Sequence, residues 1–247
     1  MDVPGVNSCS LSPRWYPMPD YHYSYLVGVL IFGAAWIVCS ILGKKYRAEI
    51  RWGSLIAAPM AFTSLLFVPQ YWTPPSLFDL DQKIRVGIED VLWAAAVGGI
   101  ASVIAEILLK ERLSTLRKGA RKRHYAPFVV VVLVFVPLEF WHPGKTIYNT
   151  IIAFAVGALV IAFLRSDLVP SMLVGALSFA ALYFALFLIF LALYPEFVQR
   201  YYNIPNLLGI YLLGVPIEEL LFAASGGAIW SVAYEYVQGY RLEPTVP

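Results

Sequence analysis

Apolar residues run almost unbroken through seven stretches of the chain, approximately 24–42, 53–70, 85–109, 127–141, 147–164, 170–194 and 207–238. Several of them approach or exceed the roughly 20 residues that a helix needs to cross a bilayer. Polar, proline- or glycine-containing segments separate them. The narrowest divider is the turn-like His142-Pro143-Gly144-Lys145 between the fourth and fifth stretches. The pattern predicts an all-α, polytopic membrane protein, a seven-transmembrane helix bundle.

Composition supports that class. With 60% hydrophobic and 14% charged residues and a mean hydropathy of +0.69, the chain departs from an ordinary soluble domain. Basic residues orient it, because they collect in cytoplasmic loops. Lys44, Lys45, Arg47 and Arg51 follow the first stretch. Lys110, Arg112, Arg117, Lys118, Arg121, Lys122 and Arg123 follow the third, Arg165 the fifth and Arg241 the seventh. Of the 18 basic residues, the other side keeps only Arg14, Lys83, Arg85, Lys145 and Arg200. Seven crossings with the N-terminus outside and the C-terminus cytoplasmic satisfy this split, in the plasma (cytoplasmic) membrane. The basic 110–124 stretch is then a topological signal, with anionic headgroups as its contact, and nucleic acid is not expected as a partner. The first 23 residues read as an exterior tail without a cleavable signal. Cys9 outside and Cys39 within the first span argue against a disulfide or a cysteine metal site.

A second pattern lies over the first. Shifting the chain by 129 positions places Glu89-Asp90 on Glu218-Glu219, Leu92 on Leu221, Trp93 on Phe222, Gly98 on Gly227, Ser102-Val103 on Ser231-Val232 and Glu106 on Glu235. Polar residues keep this register, and shared apolar composition does not produce that. It predicts an internal duplication: a first three-span repeat over 24–124, a linker span over 125–146, and a second repeat over 147–241, followed by a short tail, 242–247. Because spans 3 and 7 cross in the same sense, the copies are expected to be parallel.

The acid doublets are the candidate chemistry. A carboxylate in hydrocarbon costs several kcal/mol unless paired, solvated or protonated, so two doublets below the membrane surface suggest function. A buried acid with a buried base beside it can protonate and then deprotonate a hydrocarbon. Adjacent helical residues point about 100° apart, so one member of each doublet is expected to face a cavity while its neighbour supports it. The best cavity lies between spans 3 and 7.

Other chemistries lack their residues. None of His22, His124 and His142 is followed by a carboxylate at i+3 or i+4, so neither a metal nor a cofactor is expected. Gly98-Gly99 and Gly226-Gly227 sit within apolar helices and read as close-packing sites, not as a nucleotide loop. Asp79 and Asp81 stand alone, without the second aspartate cluster that diphosphate chemistry requires. Glu218-Glu219-Leu220-Leu221-Phe222 shares its start with intramembrane CAAX-type proteases, but Ala223 replaces the arginine their motif needs next.

Val215-Pro216-Ile217-Glu218-Glu219-Leu220-Leu221-Phe222, with the weaker copy Gly87-Ile88-Glu89-Asp90-Val91-Leu92-Trp93, resembles the acidic motif of the integral-membrane lycopene cyclases of the heterodimeric and fused type. The first copy departs from the family's pattern in having Gly87 for a proline and Asp90 for the second glutamate. The resemblance implies two three-span units fused through an extra span. It also implies a redox-neutral cyclisation of a polyene ψ-end to an ionone ring by a carboxylic acid and a carboxylate. Glu218, Glu219, Glu89 and Asp90 are the catalytic candidates. Trp93, Phe222, Trp230 and Tyr234 are candidate pocket residues that could face a cation, and Glu106 and Glu235 an inner pocket pair. Lys110, four residues after Glu106, offers that glutamate an ordinary helical ion pair. Arg85 is expected to pair with Glu89, and Glu139 to sit at the interface. The expected partners are a hydrophobic polyene or isoprenoid substrate and the bilayer. A proton-coupled transporter or isoprenoid-binding protein using the same acids is the alternative. A retinal protein is excluded, because every lysine lies in a loop or at an edge.

Overall fold

The computed structural model describes residues 20–109, 111–115 and 125–244. The N-terminal tail through residue 19, with Cys9 and Arg14, lies outside the described residues, as do Lys110 and most of the basic stretch. Side chains are described through Tyr240, those of 111–115 excepted.

The fold is all-α. Helix α1 (Ser24–Leu42) ends at Gly43, and α2 (Arg47–Ala57) continues through a 3-10 stretch, Ala58–Thr63, into α3 (Ser64–Phe67). A short α4 (Leu80–Ile84) precedes α5 (Ile88–Ala101) and α6 (Ile104–Leu109). Then come α7 (Ala126–Trp141), α8 (Thr146–Leu164), α9 (Val169–Leu193), α10 (Phe197–Tyr201), α11 (Ile217–Trp230) and α12 (Ala233–Gln238). Pro127 and Pro170 stand in the first turns of α7 and α9, where a missing N–H costs nothing. Tyr194, non-helical at φ −130° and ψ 70° before Pro195, stops α9.

Among the described residues, five helical stretches are long and apolar enough to cross a membrane: Tyr21–Leu42, Lys44–Phe67, Ile88–Leu109, Thr146–Leu164 and Ser166–Leu193. Helix α7 is shorter. The expected span over 207–238 is not one helix. Residues 207–216 form a loop and a two-stranded hairpin of β2 (Tyr211–Leu212) and β3 (Val215–Pro216), turned through Leu213 and Gly214, both at positive φ. Two such positions in a two-residue loop match the strand twist, and glycine accepts its share without strain. Helix begins only after Pro216, whose ψ of 139° is extended.

Helices α5 and α11 form the centre. Helix α5 packs on α1 and α2, and α11 on α8 and α9. Each crossing is set by missing side chains. A Cβ on Gly98 would overlap the Ala57 methyl and stand 2.8 Å from the Gly53 carbonyl. One on Gly227 would stand 2.7 Å from the Gly175 carbonyl and 2.9 Å from the Phe179 Cβ. Lipid gives no hydrophobic drive between helices, so such close backbone approach supplies the packing energy. Both central helices break at the same local sequence: Ser102-Val103 separates α5 from α6, and Ser231-Val232 separates α11 from α12.

Beyond the breaks, β1 (Glu111–Thr115) pairs antiparallel with β4 (Tyr240–Pro244), Leu113 opposite Leu242. The C-terminal ends of α6 and α12 therefore meet. Near the opposite ends, Trp93 and Phe222 stack at 6.2 Å. The two central helices accordingly run side by side in one direction.

Candidate active site

The second doublet is built by a loop pairing. Past the turn that follows α3, Trp72 bridges antiparallel to Tyr202 after α10, with Thr73 N–H donating to the Tyr201 carbonyl (2.7 Å) and Asn203 N–H to the Tyr71 carbonyl (2.8 Å). This places the Tyr71 and Tyr202 rings 5.2 Å apart, edge to face. Their hydroxyls both donate to Glu219 Oε1, at 2.8 and 2.7 Å, while Tyr183 from α9 donates to Oε2 at 2.5 Å. Three hydroxyl donors on one buried carboxyl group suit an acceptor-only carboxylate. Bonds to a charged group contribute about 1.5–3 kcal/mol each, which offsets part of its desolvation.

Asp90 is held differently. Gly87, in extended conformation, ends the loop before α5, and its N–H donates to Asp90 Oδ2 at 2.8 Å, half of a capping box. Tyr25 donates to Oδ1 at 2.6 Å. Asp90 and Glu219 both line one cavity of about 320 Å3 with an overwhelmingly apolar wall that includes Phe32, Trp93, Phe179, Phe187, Phe222 and Trp230. Met60 and Val132, both exposed, also line it, so it reaches the lipid-facing side of the bundle.

The other doublet members, though buried, do not line this cavity. Glu89 Oε1 accepts the Leu77 N–H at 2.7 Å. Glu218 Oε1 accepts the Leu208 N–H at 2.6 Å and the Tyr148 hydroxyl at 2.7 Å. Each anchors the loop that leads into its own helix. The expected Arg85–Glu89 ion pair does not form. Arg85 is in the left-handed region at φ 60°, in the break between α4 and α5, and so is not one helical turn before Glu89. Among the described residues the ion pairs are Arg165–Asp167 and Arg200–Glu196. Glu139 is half-buried near the C-terminal end of α7. It accepts from Thr146 (2.8 Å) and Asn149 (2.7 Å), tying α7 to α8.

Of the pocket candidates, Trp93, Phe222 and Trp230 line the cavity, whereas Tyr234, Glu106 and Glu235 do not. Tyr234 packs against Trp52 at 5.6 Å. Glu106 and Glu235 meet near the helix breaks, as counterparts in the 129-residue register, and Glu49 from α2 joins them. One carboxyl oxygen from each lies within 4.8 Å of the others, a buried trio that could hold a metal ion. Whether Lys110 pairs with Glu106 lies outside the described residues.

Sequence reasoning missed Glu49, the place of Asp81 beside the first doublet, and the four tyrosines that donate to Asp90 and Glu219. Tyr25, Tyr71, Tyr183 and Tyr202 come from four separate segments, and no spacing rule links them to the doublets. Burial raises the Tyr71 and Tyr202 hydroxyls well above the ordinary tyrosine value, and the Glu219 charge raises them further. Both remain donors throughout the physiological range.

Residues 145–237 match the model of the lycopene cyclase family. That match supports a lycopene cyclase family assignment. It takes in α8, α9 and α11, with Glu218, Glu219, Phe222 and Trp230, while the first doublet lies outside it. No curated protein and no solved structure matches the chain.

Proposed function

We propose that this protein is a carotenoid cyclase that closes the ψ-end of a lycopene-like polyene inside the membrane. One observation carries the reading: Asp90 and Glu219, from two different helices, share the wall of a single aromatic cavity that opens toward lipid. The lycopene cyclase match over 145–237 supports it.

In this reading Asp90 gives a proton to the terminal double bond. The cation attacks the neighbouring double bond to close a six-membered ring, and a C–H proton leaves to Glu219. Atoms and electrons balance as an isomerisation, with neither oxidant nor reductant consumed. The donor set supports these roles, since three tyrosine hydroxyls aimed at Glu219 suit a resting carboxylate. General acid and base groups contribute about 10²–10⁴-fold each. Trp93 and Phe222, stacked at 6.2 Å, offer π faces to the cation.

Duplication and orientation belong to the same proposal. Two three-span repeats, 24–124 and 147–241, joined by the linker span 125–146, account for several coincidences. The matching helix breaks are one. Another is the pair of glycine crossings, Gly53 with Gly98 and Gly175 with Gly227. The pairing of Leu113 with Leu242, its own counterpart in the 129-residue register, is consistent with a local twofold axis between β1 and β4. The charge distribution puts those strands on the cytoplasmic side, with the N-terminus outside.

Expression in cells that accumulate lycopene tests the activity. New cyclic carotenoids are expected, and an unchanged pigment profile with well-inserted protein removes lycopene as the substrate.

A further inference from the structure

The mechanism leaves one buried acid unused. Asp81, on the exterior helix α4, is fully buried, and no donor reaches either of its carboxyl oxygens. Its backbone N–H donates to the Ser76 hydroxyl at 2.8 Å, which fixes the residue in place. Both oxygens would stand 3.2 Å from a Cβ on Gly87, and Glu89 Oε2 would stand 3.0 Å from it. Gly87 is thus the floor on which Asp81, Glu89 and Asp90 converge, and a side chain there would push the acids apart. The Gly87 N–H holds Asp90 Oδ2 while its Cβ position faces both Asp81 oxygens, so the two carboxyl groups lie side by side on this one residue.

Two carboxyl groups in that relation can bond only if one carries a proton, because a carboxylate has no donor. Asp90 already accepts from Tyr25 and Gly87. The shared proton therefore rests on Asp81, which has no other donor to satisfy it. Burial, then the charges of Asp90 and Glu89, push the Asp81 carboxyl up to about 8.

We propose that Asp81 is the proton reservoir of the site, passing its proton to Asp90 and taking a replacement from the exterior medium. This rests on the cyclase reading, in which Asp90 is the acid. The Asp81 proton moves to the Asp90 carboxylate, Asp90 delivers it to the substrate double bond, and water at the exterior surface reprotonates Asp81. Gln82, Lys83, Ile84 and Arg85, which follow Asp81, are all exposed, so one turn of helix separates it from water. The titratable groups facing Asp81 are Asp90 and Glu89 from α5 and Tyr25 from α1. On its own helix, Lys83 turns its ammonium to the Phe78 carbonyl at 2.8 Å. Asp81 is a positioning and relay residue and does not line the cavity.

The test compares pH–rate profiles of the purified full chain on lycopene. Wild-type turnover is expected to fall as pH rises through about 8, where Asp81 loses its proton. Asp81→Asn and Asp81→Ser each remove the titrating partner. Whichever inserts is expected to lose that limb and to turn over roughly tenfold slower at neutral pH, less than the 10²–10⁴-fold of a direct acid or base because Asp81 acts through Asp90, with KM within about twofold. Asp81→Glu is expected to restore the limb. A neutral variant that keeps the wild-type rate and the limb near pH 8 overturns the proposal. Failure of both neutral variants to insert, together with a wild-type profile flat from pH 6 to 9, overturns it equally. Asp90→Asn separates the two readings. If it stays active, the cyclase assignment of Asp90 fails; if it is inactive while Asp81→Asn matches wild type, only the relay fails.

Discussion

Replacing Glu219 by glutamine changes little except the ability to take a proton. In the native site Oε1 accepts from Tyr71 and Tyr202 and Oε2 from Tyr183. A glutamine keeps one oxygen for the first two hydroxyls and turns its NH2 toward Tyr183, whose hydroxyl rotates to accept. What is lost is charge assistance, about 1 kcal/mol per bond when charged and neutral hydrogen bonds are compared. Removing a buried charge returns part of that. The net change is therefore within about 2 kcal/mol, or about 4–8 °C in melting temperature for a chain of this length. Turnover, by contrast, is expected to fall by about 10²–10⁴-fold, since the base is gone. The assay is kcat on lycopene in detergent or vesicles beside a thermal melt of the same preparation. Glu219→Gln protein that melts within this range and cyclises at the wild-type rate refutes the assignment.

Glu218→Gln should show the opposite balance, because Glu218 binds the Leu208 N–H and Tyr148 and does not line the cavity. A loss of about 1–2 kcal/mol in stability with turnover within about fivefold is expected from a melt and an initial rate. Gly227→Val forces a side chain against the Gly175 carbonyl at 2.7 Å and should destabilise by about 1–3 kcal/mol or more, seen as reduced inserted protein and a lower melt. Trp93→Ala should lower kcat about 3–30-fold with a smaller change in KM if its ring faces the cation, as a cation–π contact of about 0.5–2 kcal/mol implies. Tyr234→Phe, outside the cavity, should cyclise as wild type in the same assay.

The sequence by itself determined the all-helical membrane class, because bilayer thickness and backbone hydrogen bonding leave an apolar run of this length one ready solution. It also determined the acids, since charge in an apolar run is conspicuous whatever the fold. Tight packing at Gly98 and Gly227 was legible for the same reason, small residues being conspicuous in an apolar helix. Helix limits were less legible. Apolar character continues from 207 to 216, but Gly209, Gly214 and Pro216 turn that stretch into loop and hairpin. Only the tertiary structure decided how each doublet divides. Two neighbouring acids look alike in sequence, yet the helix rotates one toward the cavity and the other toward a loop amide. The tyrosine donors and Asp81 were also decided there. Their partners lie 65, 148 and 36 positions away for Tyr25, Tyr71 and Tyr183. A hydrogen bond of that separation follows from how helices pack, and periodicity along the chain holds no trace of it.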